Sequence, residues 1–133
     1  MRVFLDTNVL VSAFLARGFC ADLFRLVLIE HTLVTSEVVL TELQDVLSRK
    51  GRLPAPQIAA IQAFLRDQPV APWPAQTLHL GLVDPDDEWV VASAVLVDAD
   101  LFVTGDQGVL ACIQPPLPIV NPRGCWERLR SSD

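Results

Sequence analysis

The stretch RVFLDTN at residues 2–8 decides the fold. It opens with a short apolar run of β-forming side chains, and the run stops at Asp6. Similar runs occur at residues 32–35, 101–104 and 119–120, each separated from the next by longer segments with helical patterning. Short apolar strands that alternate with helices are typical of a parallel sheet covered on both faces.

The segments between these strands supply the helices. The element order predicted from the apolar spacing and the turn residues is β-α-α-β-α-α-α-β-α-β-α, with Ser36 as the N-cap of the third helix. The five helices with clear bounds span about residues 21–30, 37–48, 57–66, 88–97 and 122–130. We therefore predict an α/β fold with three layers, α/β/α, around a central parallel sheet of four to five strands. The length of 133 residues fits one domain, 1–133.

Composition narrows the class of protein. The chain is 51% hydrophobic and 20% charged, which excludes a disordered protein. Its three cysteines have neither disulfide-framework nor zinc-site spacing, so we expect a cytoplasmic protein. No apolar run approaches the roughly 20 residues of a membrane helix, so we expect no membrane contact. The net charge of −6 argues against a simple nucleic-acid binder, unless a bound cation neutralises clustered acids.

Two aspartates follow predicted strands. Asp6 ends the first strand, and Asp106 comes two residues after the strand at 101–104. The carboxyl ends of parallel strands meet at one edge of the sheet, and ligands of such folds bind there. An aspartate after a strand is also a common turn or cap residue, so each position alone is ambiguous. Together they indicate a site at that edge.

Glu42 is the one charged residue within the apolar face of the helix at 37–48. On a helical wheel it falls between Val38 and Val46. A carboxylate in such surroundings needs a cation or a change of protonation state, although an arginine partner would also satisfy it. Glu42 is therefore a third candidate for the site.

The densest acidic run is DPDDE at residues 84–88. Acids favour the first turn of a helix because they complement its dipole, and that accounts for part of the run. Four acids in five positions exceed what capping needs. Carboxylates from four elements form an all-oxygen donor set, which selects Mg²⁺ or Mn²⁺ over zinc. The implied chemistry is metal-assisted hydrolysis of a phosphodiester.

The motifs also resemble a known family. FLDTNVL at residues 4–10, Ser36 with Glu42-Leu43, DPDDE at 84–88 and VTGD at 103–106 occur in the order found in PIN-domain proteins. The chain is most similar to the toxin branch of that family, the VapC-like ribonucleases of toxin–antitoxin pairs. The resemblance implies the PIN-like, Rossmann-like fold and an endoribonuclease that depends on Mg²⁺ or Mn²⁺.

The resemblance also assigns site residues. The catalytic acids it implies are Asp6, Glu42, Asp87 and Asp106, and the metal ligands are the same four together with Glu88. Counting back from Asp106 without gaps places the third family acid at Glu88, whereas a shift of one residue places it at Asp87. We expect Asp87 as the ligand and Glu88 as a close partner. The resemblance implies supporting roles for Asn8, Ser36 and Thr104.

Partners follow from the same resemblance: an RNA substrate, a cognate antitoxin protein and a second copy of the chain in a homodimer. Arg49, Lys50 and Arg52 are candidate contacts to RNA phosphates, although cations also complement a helix C-terminus.

Two other interpretations of the function stay open. One is a PIN-fold module that binds RNA or protein without cutting. The other is a phosphatase-like hydrolase with Asp6 as nucleophile, for which Asn8 stands where a second aspartate is usual.

Overall fold

The sheet has five parallel strands in the spatial order β3-β2-β1-β4-β5. The computed structural model describes residues 1–131, and the last two residues of the predicted domain lie outside that range. The strands are β1 (Arg2–Leu5), β2 (Thr32–Ser36), β3 (Val70–Ala71), β4 (Leu101–Val103) and β5 (Ile119–Val120). The helices are α1 (Thr7–Leu15), α2 (Phe19–Glu30), α3 (Glu37–Arg49), α4 (Ala55–Arg66), α5 (Pro85–Leu96), α6 (Gln107–Leu110) and α7 (Pro122–Ser131).

Strand β1 lies at the centre of the sheet. It pairs with β2 on one side and β4 on the other, and its Leu5 is in register with Val103. Phe4 and Phe102 are register partners whose rings stack with centroids 5.3 Å apart. Both rings are fully buried, as expected for a parallel strand covered on both faces. This confirms the predicted α/β fold with a central parallel sheet flanked by helices.

The strands and helices depart from the predicted bounds mainly at their ends. Helix α1 begins directly after Asp6, because the Asp6 side chain caps it. Strand β3 has no counterpart among the four strands predicted from the sequence, and it forms because Thr35 and Ser36 pair with it. In residues 1–131 no helix is long and apolar enough to cross a membrane.

Helix α5 differs from its predicted bounds at both ends. It starts at Pro85 instead of residue 88, since proline fits the first helical position and Asp84 caps the helix. The acidic run therefore forms the first turn instead of a preceding loop. The last turn of α5 is partly exposed to solvent, since Val95 and Leu96 are 40% and 50% exposed.

Candidate active site

Asp6 stands at the carboxyl end of the central strand and is 6% exposed. Its Oδ1 accepts a hydrogen bond from the backbone N–H of Thr7 at 2.8 Å. Its Oδ2 accepts from the Thr104 hydroxyl at 2.8 Å and from the Asn8 amide at 3.2 Å. Burial raises the pKa of Asp6 above its ordinary value, and these three hydrogen bonds oppose the rise. The carboxylate is thus held in one orientation within the protein.

Thr104 connects the ends of the two central strands. Besides donating to Asp6, its Oγ1 accepts from the backbone N–H of Asp106 at 3.0 Å and from the Asn8 amide at 3.2 Å. The Asn8 carbonyl oxygen accepts in turn from the backbone N–H of Gly105 at 2.8 Å. The residues after β1 and after β4 therefore form one hydrogen-bonded unit, and the supporting positions predicted at Asn8 and Thr104 both lie in it.

Glu42 reaches the site from the second turn of α3. Its Oε1 accepts a hydrogen bond from the Thr7 hydroxyl at 2.7 Å. Burial raises the pKa of Glu42, and the negative charges of Asp6, Asp86 and Asp84 raise it further. Thr7 is not among the predicted site residues, although its backbone N–H donates to Asp6 and its hydroxyl donates to Glu42. The sequence signal was available, because Thr7 lies between Asp6 and Asn8.

Asp106 caps the short helix that follows β4. Its Oδ1 accepts from the backbone N–H groups of Gly108 at 2.8 Å and Val109 at 3.3 Å. These bonds fix the side chain at the carboxyl edge of the sheet, where Asp6 also lies. Its negative charge contributes to the raised pKa of Asp6. The position after the strand was predicted from the sequence, and the capping bonds explain how the carboxylate is oriented.

Asp87 lies in the first turn of α5, at the carboxyl edge of the sheet where Asp6 and Asp106 also lie. Burial raises the pKa of Asp87 to about 7, and the charges of Asp106, Asp84, Asp6 and Glu42 contribute in that order. Asp87 also lines the same cleft as Asp6, Glu42, Asp84 and Asp106. Asp87 is therefore the residue of α5 that joins the carboxylates of the other elements.

The Glu88 side chain is directed towards the segment that precedes α5. Its Oε2 accepts hydrogen bonds from the backbone N–H groups of Leu80 at 2.7 Å and Leu82 at 3.4 Å. These bonds attach the segment before α5 to the first turn of that helix. Asp84 is not among the predicted site residues, yet it lines the same cleft as the other acids while its Oδ1 caps α5.

The acids share one open cleft of about 690 Å³ at the carboxyl edge of the sheet. Its lining also includes Thr7, Asn8, Ser12 and Lys50. The carboxylates that line the cleft are those of Asp6, Glu42, Asp45, Asp84, Asp87 and Asp106. The structure thus brings together the four predicted catalytic acids, while Glu88 is not among the lining residues.

The donor chemistry of the cleft suits a hard divalent cation, since every charged donor is a carboxylate. Burial and, after it, the negative charge of neighbouring acids raise the pKa values of Asp6, Glu42 and Asp87, and a bound cation would offset both effects. Within residues 1–131, no three His, Cys, Asp or Glu side chains are yet placed so that they could hold a metal ion. Binding would therefore require some of these side chains to change rotamer.

A family model described as PIN domain matches residues 2–108, which include every acid of the cleft. The chain belongs to the PIN-domain family.

Solved structures with the same fold agree with this assignment. VapBC2 from Rickettsia felis, bound to a DNA fragment from the promoter, has a TM-score of 0.66 at 20% identity, over 91% of this chain and 98% of that chain. VapBC-1 from nontypeable Haemophilus influenzae has a TM-score of 0.62 at 20% identity, covering 92% and 99%. FitAcB from Neisseria gonorrhoeae has a TM-score of 0.57 at 17% identity, covering 91% and 98%. A comparison with curated protein sequences gives no significant match.

Ser36 lies in the interior of the PIN domain, at the N-terminus of α3. It is fully buried, and its hydroxyl caps α3 by accepting from the backbone N–H of Val39 at 3.2 Å. The hydroxyls of Ser36 and Ser93 are hydrogen-bonded at 2.8 Å, which joins α3 to α5. The predicted N-cap is confirmed. Ser36 thus connects the two helices that carry Glu42 and Asp87.

The three candidate basic residues of the PIN domain differ in placement. Arg49 is paired with Asp45 on the same helix, and both its Nε and its Nη2 donate to that carboxylate. Lys50 lines the cleft. Arg52 is exposed and has a positive φ of 52°. Of the three, Lys50 is the cation placed to meet a ligand of the carboxylate cleft.

Proposed function

We propose that this PIN domain is a metal-dependent ribonuclease and the toxin of a toxin–antitoxin pair. The observation that carries the proposal is the convergence of Asp6, Glu42, Asp87 and Asp106 from four elements on one cleft. A protein with net charge −6 gains no stability from such a cluster alone, because like charges repel. A bound divalent cation would offset this repulsion, whereas helix capping does not explain why the four acids lie together.

The residues that would hold Mg²⁺ or Mn²⁺ are the same four acids. When bound, such an ion lowers the pKa of a coordinated water and neutralises charge on a phosphodiester. The hydrogen bonds from Thr104 and Asn8 hold Asp6 in place, and the Thr7 hydroxyl holds Glu42. Glu88 is also an expected metal ligand by resemblance, but its hydrogen bonds to Leu80 and Leu82 favour Asp87 for that role.

The substrate side of the proposal rests on Lys50. Acids alone would repel an RNA backbone, whereas a cation at the edge of the cleft attracts a phosphate. Lys50 lines the cleft beside Asp45 and Val46, at the C-terminal end of α3. This arrangement supports RNA as the substrate class.

The decisive experiment is cleavage of a long RNA with Mg²⁺ or Mn²⁺ by the wild type and by Asp6→Asn and Glu42→Gln variants. We expect metal-dependent cleavage by the wild type and a loss of about 100-fold or more in each variant. Asp22→Asn is the matched control, because Asp22 is an exposed acid paired with Arg25 on α2. Equal cleavage by all proteins, or none with either metal, would contradict the proposal.

A second candidate function is a PIN-fold module that binds RNA or protein without catalysis. It is favoured by the finding that, in the part of the chain described, no three acids are already placed to hold a metal ion. Titration with Mn²⁺ separates the two functions. A ligand that binds only the folded state raises the melting temperature, and that rise should disappear in the Asp87→Asn variant if the acids hold a metal. No rise in the wild type would support the non-catalytic module.

The proposed partners are a cognate antitoxin and a second copy of the chain. The similarity to VapBC and FitAB structures supports the antitoxin, and exposed Val95 and Leu96 on α5 offer apolar surface for another chain. We expect a dimer by light scattering, and co-purification with the product of the neighbouring gene. A monomer at every concentration would contradict the dimer, and failure to bind any small neighbour-encoded protein would contradict the antitoxin. We also propose that the protein works in the cytoplasm.

A further inference from the structure

Thr7 contacts two of the four acids at once. Its backbone N–H donates to Oδ1 of Asp6 at 2.8 Å, and its hydroxyl donates to Oε1 of Glu42 at 2.7 Å. Thr7 is buried, with 9% of its surface exposed, so water has little access to either bond. One residue at the start of α1 therefore fixes the carboxylate that follows β1 relative to the carboxylate on α3.

The position of Thr7 in its helix leaves the hydroxyl free for this contact. Within a helix, a threonine hydroxyl often bonds back to the carbonyl oxygen three or four residues earlier. Thr7 is the first residue of α1, so those earlier residues are Phe4 and Val3, whose carbonyl groups belong to strand β1 and not to the helix. The hydroxyl is consequently available to a partner on another element, and Glu42 is that partner.

Glu42 depends on Thr7 for its orientation. Among residues 1–131, the Thr7 hydroxyl is the one donor to the Glu42 carboxylate, and Oε2 of Glu42 accepts no hydrogen bond. A glutamate side chain has several rotatable bonds, so holding it in one conformation costs rotamer entropy. The bond from Thr7 restricts the side chain before any cation arrives. It also leaves Oε2 without a protein donor, as an oxygen that binds a cation requires.

The four acids differ in how firmly the protein holds them. The Asp6 carboxylate accepts three hydrogen bonds, and that of Asp106 accepts two. Glu42 has the single bond from Thr7. In the part of the chain that the structure describes, the Asp87 carboxylate accepts none. Asp87 is therefore the acid that can change rotamer most easily when a cation binds, while Asp6 and Glu42 stay in place.

We propose that Thr7 is a positioning residue, which holds Asp6 and Glu42 as a preset pair of cation ligands that Asp87 completes by rotating. This inference rests on the proposed metal-dependent function and gives a role to a residue outside the four acids. Thr7 acts through the carboxylates, since both of its donors are directed at carboxylate oxygens. Removing a hydrogen-bond partner of a metal ligand typically lowers metal affinity by about 10–100-fold.

Two variants and a matched control test the Thr7 hydroxyl by calorimetric titration with Mn²⁺. Thr7→Val keeps the backbone N–H that donates to Asp6 and breaks only the bond to Glu42, so affinity should fall by about tenfold or more. Thr7→Ser keeps the hydroxyl and should bind Mn²⁺ nearly as tightly as the wild type. Thr41→Val is the control and should bind equally well, because Thr41 is exposed on α3 beside Glu42 and its hydroxyl bonds only the Glu37 carbonyl oxygen.

A measurement on the wild type keeps the proposal testable if Thr7→Val does not fold. Mn²⁺ is paramagnetic and broadens the NMR signals of groups close to it. We expect substoichiometric Mn²⁺ to remove the methyl signal of Thr7 but to spare that of Thr32, which begins β2 at the opposite edge of the sheet. A Thr7 signal that persists while Mn²⁺ binds would overturn the proposal.

The outcomes separate this inference from the proposed function. Unchanged Mn²⁺ affinity in Thr7→Val, or a loss in Thr7→Ser as large as in Thr7→Val, would show that the hydroxyl does not position the acids. An equal loss in Thr41→Val would contradict the proposal as well. If the wild type still cleaves RNA with metal in these cases, the role of Thr7 alone is wrong. If the wild type does not bind Mn²⁺ at all, the proposed function fails together with it.

Discussion

The Glu88 carboxylate accepts a hydrogen bond from the backbone N–H of Leu80 at 2.7 Å, and so it faces the segment before α5 instead of the cleft. We predict that Glu88→Ala frees this segment. A hydrogen bond to a charged group contributes about 1.5–3 kcal/mol, so amide exchange at Leu80 should accelerate by about tenfold or more. Hydrogen exchange measured by NMR checks the prediction, and the affinity for Mn²⁺ should change only a few-fold.

Two variants serve as controls for Glu88. Glu88→Gln keeps an acceptor oxygen and should preserve most of the protection at Leu80. Asp87→Asn should leave that exchange rate unchanged but abolish binding of Mn²⁺. If Glu88→Ala abolishes Mn²⁺ binding with no change in exchange, Glu88 is a ligand and the assignment of Asp87 is wrong.

Thr104 gives a second prediction, because one hydroxyl serves Asp6, Asn8 and Asp106. Thr104→Val keeps the shape of the side chain but removes the donor to Asp6 and the acceptor for the Asp106 N–H. We expect a loss of about 1–3 kcal/mol in the free energy of unfolding, since buried polar groups are left without partners. Urea denaturation measures this loss, and RNA cleavage should fall with it. Thr104→Ser keeps the hydroxyl and should retain most of the activity, so equal defects in both variants would contradict the role of the hydroxyl.

Much of the fold was predictable because its determinants are local. The apolar runs of β1, β2 and β4 are each short and end at polar residues, so their patterning is visible in the sequence. Strand β3 was not predictable as a strand, because its two residues lie between prolines and are extended partly by pairing with Thr35 and Ser36. Such pairing depends on residues far away in the chain.

The features of the site also divide into those that local sequence predicts and those that depend on residues far away in the chain. Asp6 and Asp106 were predictable because each follows a strand and caps a helix, both of which are local features. The orientation of Glu88 was not, since it depends on the path of the chain at Leu80 and Leu82. The bond from Thr7 to Glu42 spans 35 positions in the chain, so spacing within one helix could not reveal it.

The stability of the metal-free protein should depend on pH in a defined direction. The pKa of Asp87 is raised to about 7, and those of Asp6 and Glu42 are also raised. Between the ordinary pKa of a carboxyl group and these raised values, the folded state keeps protons that the unfolded state has already lost, so these three acids destabilise the fold increasingly as pH rises towards 7. We expect melting temperatures in EDTA to decrease between pH 5 and pH 8. The change is on the order of 1 kcal/mol, because Asp87 is half-buried and solvent screens part of the repulsion.

Asp87→Asn tests the origin of that dependence. The amide cannot ionise, so the variant should be more stable than the wild type at pH 8 and should show a flatter profile. Glu37→Gln is a suitable control, because Arg66 lowers the pKa of Glu37 and its titration falls below this pH range. A wild-type profile that rises from pH 5 to pH 8 would contradict the crowding of negative charge in the cleft.

The neighbouring cations at the end of α3 should contribute unequally to RNA binding. Lys50 lines the cleft, whereas Arg49 is already paired with Asp45 and its charge is largely offset. We expect Lys50→Gln to weaken binding of single-stranded RNA severalfold and to lower the salt slope by about one, while Arg49→Gln changes both much less. Fluorescence anisotropy with a labelled strand at several salt concentrations measures both quantities. A larger effect from Arg49→Gln would mean that RNA approaches along the outer face of α3 instead of crossing the carboxylates.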